Sequence, residues 1–369
     1  MLLPFLMSAG PAKVKADYSA GQMVSSNPRF YSNRRHPFQT SFPVVQSIMK
    51  STTHAVIALA IFVSTGATNL SAEPSRITQA RRLSDRQASI AVDPSRKLKN
   101  RPVLSSGSGK ELGDFKSGIH TMTSAGLERK YTIDIPHNYN NKKPYRLIFA
   151  MHMMGGHMDT MANNQFYGLK AYAEKERVPC IFVAPEGYTD QTPWRSRDDK
   201  DHIFFADMLA LFKDKLSIDT SRVFCCGFSF GAMVTYSLSL DFQEDLRAVA
   251  CYSPANWNIY LPPNKRQPIA FFSTTGTEDG LCKYVNSDER KEGGKYCVLT
   301  HLEDNGVKTL PEIPIATTAK HLTTEFEGCP KEFPVLFGSF KGGHTDNMRD
   351  PGADENWIAK ETWDFFMRF

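Results

Sequence analysis

The sequence lacks several patterns that identify common classes of protein. Its seven cysteines form no Cys-x-x-Cys pair and no Cys/His spacing, which argues against a metal site. No segment repeats with a fixed period, so no solenoid or propeller is expected. The apolar run at residues 55–63 has nine residues, whereas a membrane-spanning helix needs roughly 20. We therefore expect neither a bound metal nor a stable association with a membrane.

Excess positive charge is also missing from the part of the chain that we expect to fold. Residues 1–100 carry 13 Lys and Arg against 4 Asp and Glu, whereas residues 101–369 carry 31 against 35. A nucleic-acid interface needs basic residues clustered on the folded domain itself. This distribution argues against a nucleic-acid partner.

The N-terminal third reads as a leader and a linker. Residues 1–48 are rich in Ser, Pro, Asn and Arg without sustained periodicity, which predicts a non-structural extension. Residues 49–72 combine a lysine, a short apolar run and small residues, the layout of a secretory signal peptide. Either translation starts at Met49, or residues 1–48 are genuine and secretion is in doubt. Residues 73–110 are polar and basic, which predicts a disordered linker or pro-segment. We expect an extracellular protein.

The cysteines fall into two groups. Four lie in apolar, strand-like runs, where a cysteine usually packs as a small core residue. The other three, Cys282, Cys297 and Cys329, lie in a polar stretch, where a disulfide would suit a secreted protein. Because the total is odd, at least one thiol stays free if the others pair, and the sequence does not identify the pairs.

From about residue 118, strand patterns alternate with helical ones. Continuous apolar runs such as 145–151 and 180–184 are typical of buried central strands. Further strands are predicted at 129–135, 222–226, 246–252, 269–273 and 335–340, and helices at 166–176, 201–215, 230–240 and 356–368. The alternation predicts a mostly parallel sheet with helices on both faces. The folded domain would span 111–369, with a loop-rich insertion at 280–332.

A candidate nucleophile stands between one strand and the next helix. The motif Gly227-Phe-Ser-Phe-Gly231 matches the Gly-x-Ser-x-Gly turn of α/β-hydrolases, which raises the serine Oγ above the sheet edge. The motif alone occurs by chance, but its strand-turn-helix context predicts that Ser229 is the nucleophile. The alternative is a glycine-rich helix entry with an idle serine.

Two segments could supply an oxyanion hole. The helix that starts at Phe230 points free N–H groups at Ser229, so the Phe230 N–H is one candidate donor. In this fold the loop after the strand at 145–151 supplies the second donor, which we assign to Met154, with Met153 as the substitute. We place His152 beside the substrate and favour a structural hydrogen-bonding role for it over that of a base.

The acid and the base are expected later in the chain, in the order Ser, Asp/Glu, His. An acidic pair follows the strand at 269–273, and we predict Asp279 as the acid with Glu278 as the alternative. His344 follows the strand at 335–340 in a glycine-rich loop, and we predict it as the base that Asp279 orients. This chemistry needs no cofactor.

Several stretches of the sequence match, in the same order, the pattern that is typical of one protein family. They are Ser117-Gly-Ile-His-Thr-Met-Thr-Ser-Ala-Gly-Leu127 with Arg129-Lys-Tyr131, Lys143-Pro-Tyr-Arg-Leu-Ile-Phe149 with His152 and Gly155-Gly156, Phe182-Val-Ala-Pro-Glu-Gly187, Trp194 with Asp201, the motif at 227–231, Gly342-Gly-His344, and Glu361-Thr-Trp-Asp-Phe-Phe366. Together they resemble the fungal secreted feruloyl esterases of type C, which are related to polyhydroxybutyrate depolymerases.

The resemblance implies an α/β-hydrolase fold and hydrolysis of ferulate-type esters on plant cell-wall polysaccharide or oligosaccharide. It supports Ser229, Asp279 and His344 by matched position. Trp194 falls at a family aromatic position, where it could stack on an aromatic acyl group or simply pack beneath the loop.

The chain also departs from the family pattern. Relatives carry cysteines where this sequence has Ser108, Ser217, Ser239 and Val307, so the family's disulfide set is incomplete. The oxyanion loop has Met153 and Met154 where relatives usually have bulkier or charged residues. The alternatives are an acetyl-xylan or polyhydroxyalkanoate esterase of the same fold, a serine peptidase, and a catalytically inactive binding protein. The sequence makes no prediction of oligomeric state.

Overall fold

The computed structural model describes residues 101–369. The predicted extension, the signal-like segment and most of the predicted linker lie outside the described residues. The described strands are β1 (Gly118–Ser124), β2 (Leu127–Asp134), β3 (Tyr145–Met151), β4 (Cys180–Pro185), β5 (Ile218–Phe228), β6 (Ala248–Tyr252), β7 (Ala270–Gly276), β8 (Leu322–Glu325) and β9 (Val335–Phe340). The described helices are α1 (Met158–Asn163), α2 (Leu169–Glu176), α3 (Lys200–Lys215), α4 (Phe230–Ser239), α5 (Gly294–Asp304) and α6 (Trp357–Met367).

These strands form one sheet in the order β1-β2-β4-β3-β5-β6-β7-β9-β8. The central strands, from β4 through β3 to β9, pair in parallel. The edges are antiparallel, with β1 on β2, β2 on β4 and β8 on β9. Because parallel strands need crossover connections, helices must lie against the faces of the sheet. The predicted α/β-hydrolase fold is confirmed.

Side chains of each central strand alternate between two cores. In β3, Leu147 and Phe149 join the core beneath α3, α4 and α5. Ile148 and Ala150 point the other way, into the core that α1, α2 and α6 cover. Burial on both faces explains why β3 reads as an unbroken apolar run.

The folded domain begins earlier than the predicted boundary at residue 111. The Ser105 N–H donates to the Ile218 carbonyl at 2.9 Å, and the Ile218 N–H donates to Ser105 Oγ at 2.9 Å. These bonds pair the segment around Ser105 with the start of β5, so residues 103–110 belong to the domain. The linker prediction extended too far because this stretch is short, polar and without periodicity.

The segment at 280–332 is more regular than a loop-rich insertion. It contains α5, which packs on β7 and β9, and the edge strand β8. The helix starts at the pair Gly293-Gly294 and carries several polar residues, which conceal its periodicity. Part of the segment is therefore the crossover connection that a parallel β7/β9 pair requires.

Within residues 101–369, no helix combines the length and apolar character that crossing a bilayer would need. The same part of the chain contains no group of three or more His, Cys, Asp or Glu side chains arranged to hold a metal ion. All seven cysteines are free thiols, including the three for which a disulfide was considered.

Candidate active site

Ser229 occupies a sharp turn between β5, which ends at Phe228, and α4, which begins at Phe230. Its backbone has φ 56° and ψ −120°, a conformation that is rare for residues other than glycine. The Ser229 N–H donates to the Tyr252 carbonyl at 3.0 Å, which fixes the turn to the end of β6. This is the strained strand-to-helix geometry that exposes a nucleophile above a parallel sheet.

Two glycines make this turn possible because the backbone passes very close to them. A Cβ on Gly231 would lie 2.0 Å from the Met151 carbonyl oxygen, and one on Gly227 would lie 2.3 Å from the Gly231 carbonyl oxygen. Separations below 3.0 Å are essentially never seen for real Cβ atoms. The end of β3 therefore abuts the first turn of α4 directly.

A Gly231→Ala substitution is expected to lower the free energy of unfolding by about 3 kcal/mol or more, because the added methyl group overlaps a backbone carbonyl that cannot move independently. Urea-induced unfolding measures the change. Gly280→Ala is the matched control, since a Cβ there meets nothing within 4 Å, and its change should stay within about 0.5 kcal/mol. Equal stability of the two variants would contradict the close approach at Gly231.

His344 and Asp279 form a buried pair. The His344 Nδ1 lies 2.7 Å from Asp279 Oδ2, and the Asp279 side chain has no exposed surface while that of His344 is 14% exposed. The other carboxylate oxygen accepts backbone N–H groups from Leu281 at 2.9 Å and Cys282 at 2.8 Å. Burial alone would raise the pKa of Asp279, but these bonds and the neighbouring imidazole bring its pKa below the ordinary value. Asp279 is thus held as a carboxylate that orients the imidazole.

The loops that carry these two residues are joined to each other. The Thr277 N–H donates to the Phe340 carbonyl at 2.9 Å, and the Glu278 N–H donates to the Gly342 carbonyl at 2.8 Å. The Glu278 side chain is exposed, and it is Asp279 that meets the imidazole. The geometry favours Asp279 over its alternative.

Ser229 lies at the same edge of the sheet as this pair. The ring of Phe228 is 4.5 Å from the His344 ring, measured between centroids. The Ser229 side chain is near enough to Cys282 to lower the pKa that burial raises at this thiol, and the Cys282 backbone N–H donates to Asp279. No hydrogen bond joins Ser229 Oγ to the His344 imidazole in this structure, and such bonds often tighten only when substrate is bound. The segments that carry Ser229, Asp279 and His344 therefore meet at one edge of the sheet.

Cys282 was not identified from the sequence as a neighbour of the serine. Its polar surroundings in the sequence suggested a disulfide, whereas the side chain is only 2% exposed. Burial raises the pKa of the Cys282 thiol to about 12, so it remains a neutral thiol near pH 7. Since the thiolate is the nucleophilic form, Cys282 is not a candidate nucleophile at this pH.

Unused backbone N–H groups lie in the loop after β3 and at the start of α4, the two segments that meet at Gly231. Within residues 101–369, the N–H groups of Met153, Met154 and Phe230 have no hydrogen-bond partner. Gly155 N–H donates to the Asp190 carbonyl at 2.7 Å and Gly156 N–H donates to the Met153 carbonyl at 3.0 Å, which curls the loop after β3. Unused N–H groups at a helix start and in a tight loop are suited to binding a developing oxyanion.

His152 and Trp194 lie beneath this loop. The His152 side chain uses both ring nitrogens, since Nδ1–H donates to the Met153 carbonyl at 2.9 Å and Nε2 accepts the Gly187 N–H at 2.9 Å. Burial lowers the pKa of His152, which keeps this neutral tautomer. The Trp194 indole donates to the His152 carbonyl at 2.9 Å. His152 and Trp194 are only 1% and 3% exposed. A structural hydrogen-bonding role for His152 and packing beneath the loop for Trp194 fit this burial better than direct contact with substrate does.

No protein-family model matches the chain. Over 275 residues it is 30% identical to feruloyl esterase D of Neurospora crassa, which covers 72% of this chain and 90% of that protein. Over 244 residues it is 30% identical to feruloyl esterase C of Emericella nidulans, covering 65% and 84%. Among solved structures, a CE1 ferulic acid esterase from Anaeromyces mucronatus in complex with ferulic acid matches with a TM-score of 0.43 and 16% identity, covering 74% and 94%.

Proposed function

Because this carboxylic ester hydrolase belongs to the fungal feruloyl esterase family, we propose that it releases ferulate-type hydroxycinnamic acids from plant cell-wall polysaccharide through a Ser-His-Asp acyl-enzyme mechanism. The observation that carries the proposal is the 2.7 Å pair of His344 and Asp279 beside the strained turn of Ser229. The choice of ferulate as the acyl group comes from the names of the relatives, and the acyl-enzyme mechanism is supported by the geometry of the site.

In the first half-reaction, Ser229 Oγ attacks the ester carbonyl carbon while His344 Nε2 accepts its proton. Asp279 holds the Nδ1–H and stabilises the imidazolium that forms. The N–H groups of Phe230 and Met154, or Met153 in place of Met154, bind the negative oxygen of the tetrahedral intermediate. When this intermediate collapses, the sugar hydroxyl leaves with the proton from His344, and the acyl group remains on Ser229.

In the second half-reaction, His344 takes a proton from water as the water oxygen attacks the acyl-enzyme. As the resulting tetrahedral intermediate collapses, the His344 imidazolium gives that proton to Ser229 Oγ and the hydroxycinnamic acid is released. Every proton therefore moves through one imidazole, whose orientation Asp279 maintains throughout.

Exposed apolar side chains on two of the loops that carry the site suit an aromatic acyl group. Met154 is 47% exposed in the oxyanion loop, and Leu281, two residues after the acid, is 72% exposed. An aromatic ring that packs between such side chains removes their surface from water, which favours binding by about 25 cal/mol per Å² of apolar area. We assign the acyl subsite to this region and a supporting role to His152 and Trp194.

The pH dependence of kcat/KM should show a single ionisation on its acid side, because the base must be neutral to accept the serine proton. Asp279 adds no second step there, since its pKa lies below the ordinary value of 3.8. Its ionised form also stabilises the fold above that value, and this contribution is lost as the pH falls further. Initial rates on methyl ferulate across buffers test this, and an acid limb with a slope of two would contradict it.

Matched ferulate, acetate and hydroxybutyrate esters test the acyl group. We expect the highest kcat/KM for ferulate. The competing assignment is an acetyl esterase. It is favoured by the similarity of this chain to a bifunctional acetylxylan esterase/xylanase of Neocallimastix patriciarum, which is 26% identical over 176 residues. Faster hydrolysis of the acetate than of the ferulate would replace the proposed substrate while retaining the mechanism.

We also propose that the protein is secreted, on the basis of the signal-like segment at 49–72. Expression of the full-length chain in a fungal host, followed by N-terminal sequencing of the medium fraction, tests this. Retention of the protein in the cells would contradict it.

A further inference from the structure

A left-handed turn precedes α2, at some distance along the chain from every residue assigned above. Gln165, Phe166 and Tyr167 have φ values of 57°, 54° and 60°, and Gly168 follows with 78°. Residues with a Cβ rarely adopt this conformation and normally do so singly, because the Cβ approaches the next carbonyl oxygen. Three in succession require stabilisation from their surroundings, and strain of this kind is concentrated at functional sites.

The surrounding hydrogen bonds hold the turn in place. The Tyr167 N–H donates to Asn164 Oδ1 at 3.0 Å, and the Gly168 N–H donates to the Asn164 carbonyl at 2.9 Å. The Phe166 ring stacks on that of Phe182 with 5.1 Å between centroids. Phe166 is 2% exposed and Tyr167 is 6% exposed, so the turn drives both aromatic side chains into the core.

The Tyr167 hydroxyl reaches two strand ends at once. It donates to the Met151 carbonyl at 2.6 Å and accepts the Phe228 N–H at 3.1 Å. Met151 is the last residue of β3, and Phe228 is the last residue of β5. Burial raises the pKa of the Tyr167 phenol well above its ordinary value, so the hydroxyl keeps the proton that it donates.

These two strand ends lead directly into the two halves of the oxyanion hole. Two residues after Phe228 comes Phe230, and two to three residues after Met151 come Met153 and Met154. The phenol oxygen bridges the strands at the level where the register of Met151 with Gly227 ends their pairing. The hydroxyl therefore links the two segments that carry the oxyanion donors at the point where the backbone pairing of β3 with β5 ends.

We propose that Tyr167 is a positioning residue that sets the separation of the two oxyanion donors, and that the left-handed turn at 165–168 exists to place its hydroxyl between β3 and β5. This inference rests on the proposed function, because it takes the Phe230 and Met154 N–H groups as the oxyanion hole. Tyr167 touches no substrate and acts through the backbone that it holds.

The test compares Tyr167→Phe with the wild-type protein. Loss of the hydroxyl releases both strand ends, and we expect kcat on methyl ferulate to fall about 10- to 100-fold with KM changed less than about twofold, because misplaced donors weaken binding of the transition state more than of the substrate. The rate of covalent labelling by a fluorophosphonate, whose phosphoryl oxygen occupies the same hole, should fall in parallel.

Tyr139→Phe provides the matched control. The Tyr139 hydroxyl also accepts a backbone N–H, from Ser217 at 2.8 Å, but near the opposite edge of the sheet. This variant should lose stability in urea to a similar extent and retain its kcat and labelling rate within about twofold. A similar decrease of kcat in both variants, or an unchanged kcat in Tyr167→Phe, would overturn the proposal.

Asn164→Ala gives a second route that removes no buried group, since Asn164 is exposed. It loosens the turn without touching either strand, so we expect an intermediate fall of about 3- to 10-fold in kcat and in labelling rate. No change in either rate would contradict the role of the turn even if Tyr167→Phe failed to fold. Failure of the proposed function is recognised separately, because the wild-type protein would then neither hydrolyse the esters nor react with the fluorophosphonate.

Discussion

The Ser229→Ala variant is expected to lose about 10⁴- to 10⁶-fold in kcat while remaining folded. In the proposed mechanism the hydroxyl oxygen forms the acyl-enzyme, so its removal leaves the reaction without its nucleophile. Alanine keeps the Cβ and hence the same backbone preferences, and the Ser229 N–H and carbonyl bonds to Tyr252 and Met233, at 3.0 and 2.9 Å, do not involve the side chain. The residual rate reflects the oxyanion donors and substrate binding alone.

Ser253→Ala is the control for this substitution. Ser253 follows β6 at the same edge of the sheet, and its buried hydroxyl has no hydrogen-bond partner within residues 101–369. Removing it should leave kcat within about twofold. Burst kinetics on 4-nitrophenyl ferulate and labelling with a fluorophosphonate measure both variants. A Ser229→Ala protein that retains more than about 1% of the wild-type kcat, or still reacts with the fluorophosphonate, would exclude Ser229 as the nucleophile.

The sheet was predictable from the sequence because its central strands are buried on both faces. The run at 145–151 was predicted with the bounds that the structure gives to β3. The start of β5 at Ile218 was missed because Asp219, Thr220 and Ser221 interrupt the apolar pattern before Arg222. Those side chains are satisfied locally, as when Asp219 Oδ1 accepts the Ser221 hydroxyl at 2.6 Å, so the strand continues although its sequence is polar.

Chain order was sufficient to locate three segments of the site, because the carboxyl ends of parallel strands meet at one edge. It could not locate Cys282 or Tyr167, whose contacts depend on side-chain directions across distant segments. Nor does Gln-Phe-Tyr indicate a left-handed turn, since none of these residues favours it. Trp194 illustrates the same limit. A tryptophan serves equally well to stack on an aromatic acyl group or to pack beneath a loop, and only the burial of its side chain in the structure distinguishes the two roles.

The Asp279→Asn variant is expected to lose about 10⁴-fold in kcat near pH 7 although its shape hardly changes. The N–H groups of Leu281 and Cys282, at 2.9 and 2.8 Å from Oδ1, require an acceptor at that position. They therefore orient the new amide with its oxygen toward them and its NH₂ toward His344. Nδ1 must then accept, which moves the proton of neutral His344 to Nε2. An imidazole in that tautomer cannot take the proton of Ser229.

Glu278→Gln separates this effect from a general loss of negative charge. Glu278 is adjacent in sequence but exposed, so its neutralisation should change kcat by less than about twofold. The tautomer itself is measurable, because ¹⁵N chemical shifts of the imidazole distinguish Nδ1–H from Nε2–H. An Asp279→Asn protein within tenfold of the wild-type kcat, with the proton still on Nδ1, would show that the backbone donors do not fix the amide. A large loss in Glu278→Gln instead would move the role of the acid to that residue, which the 2.7 Å contact of Asp279 with His344 argues against.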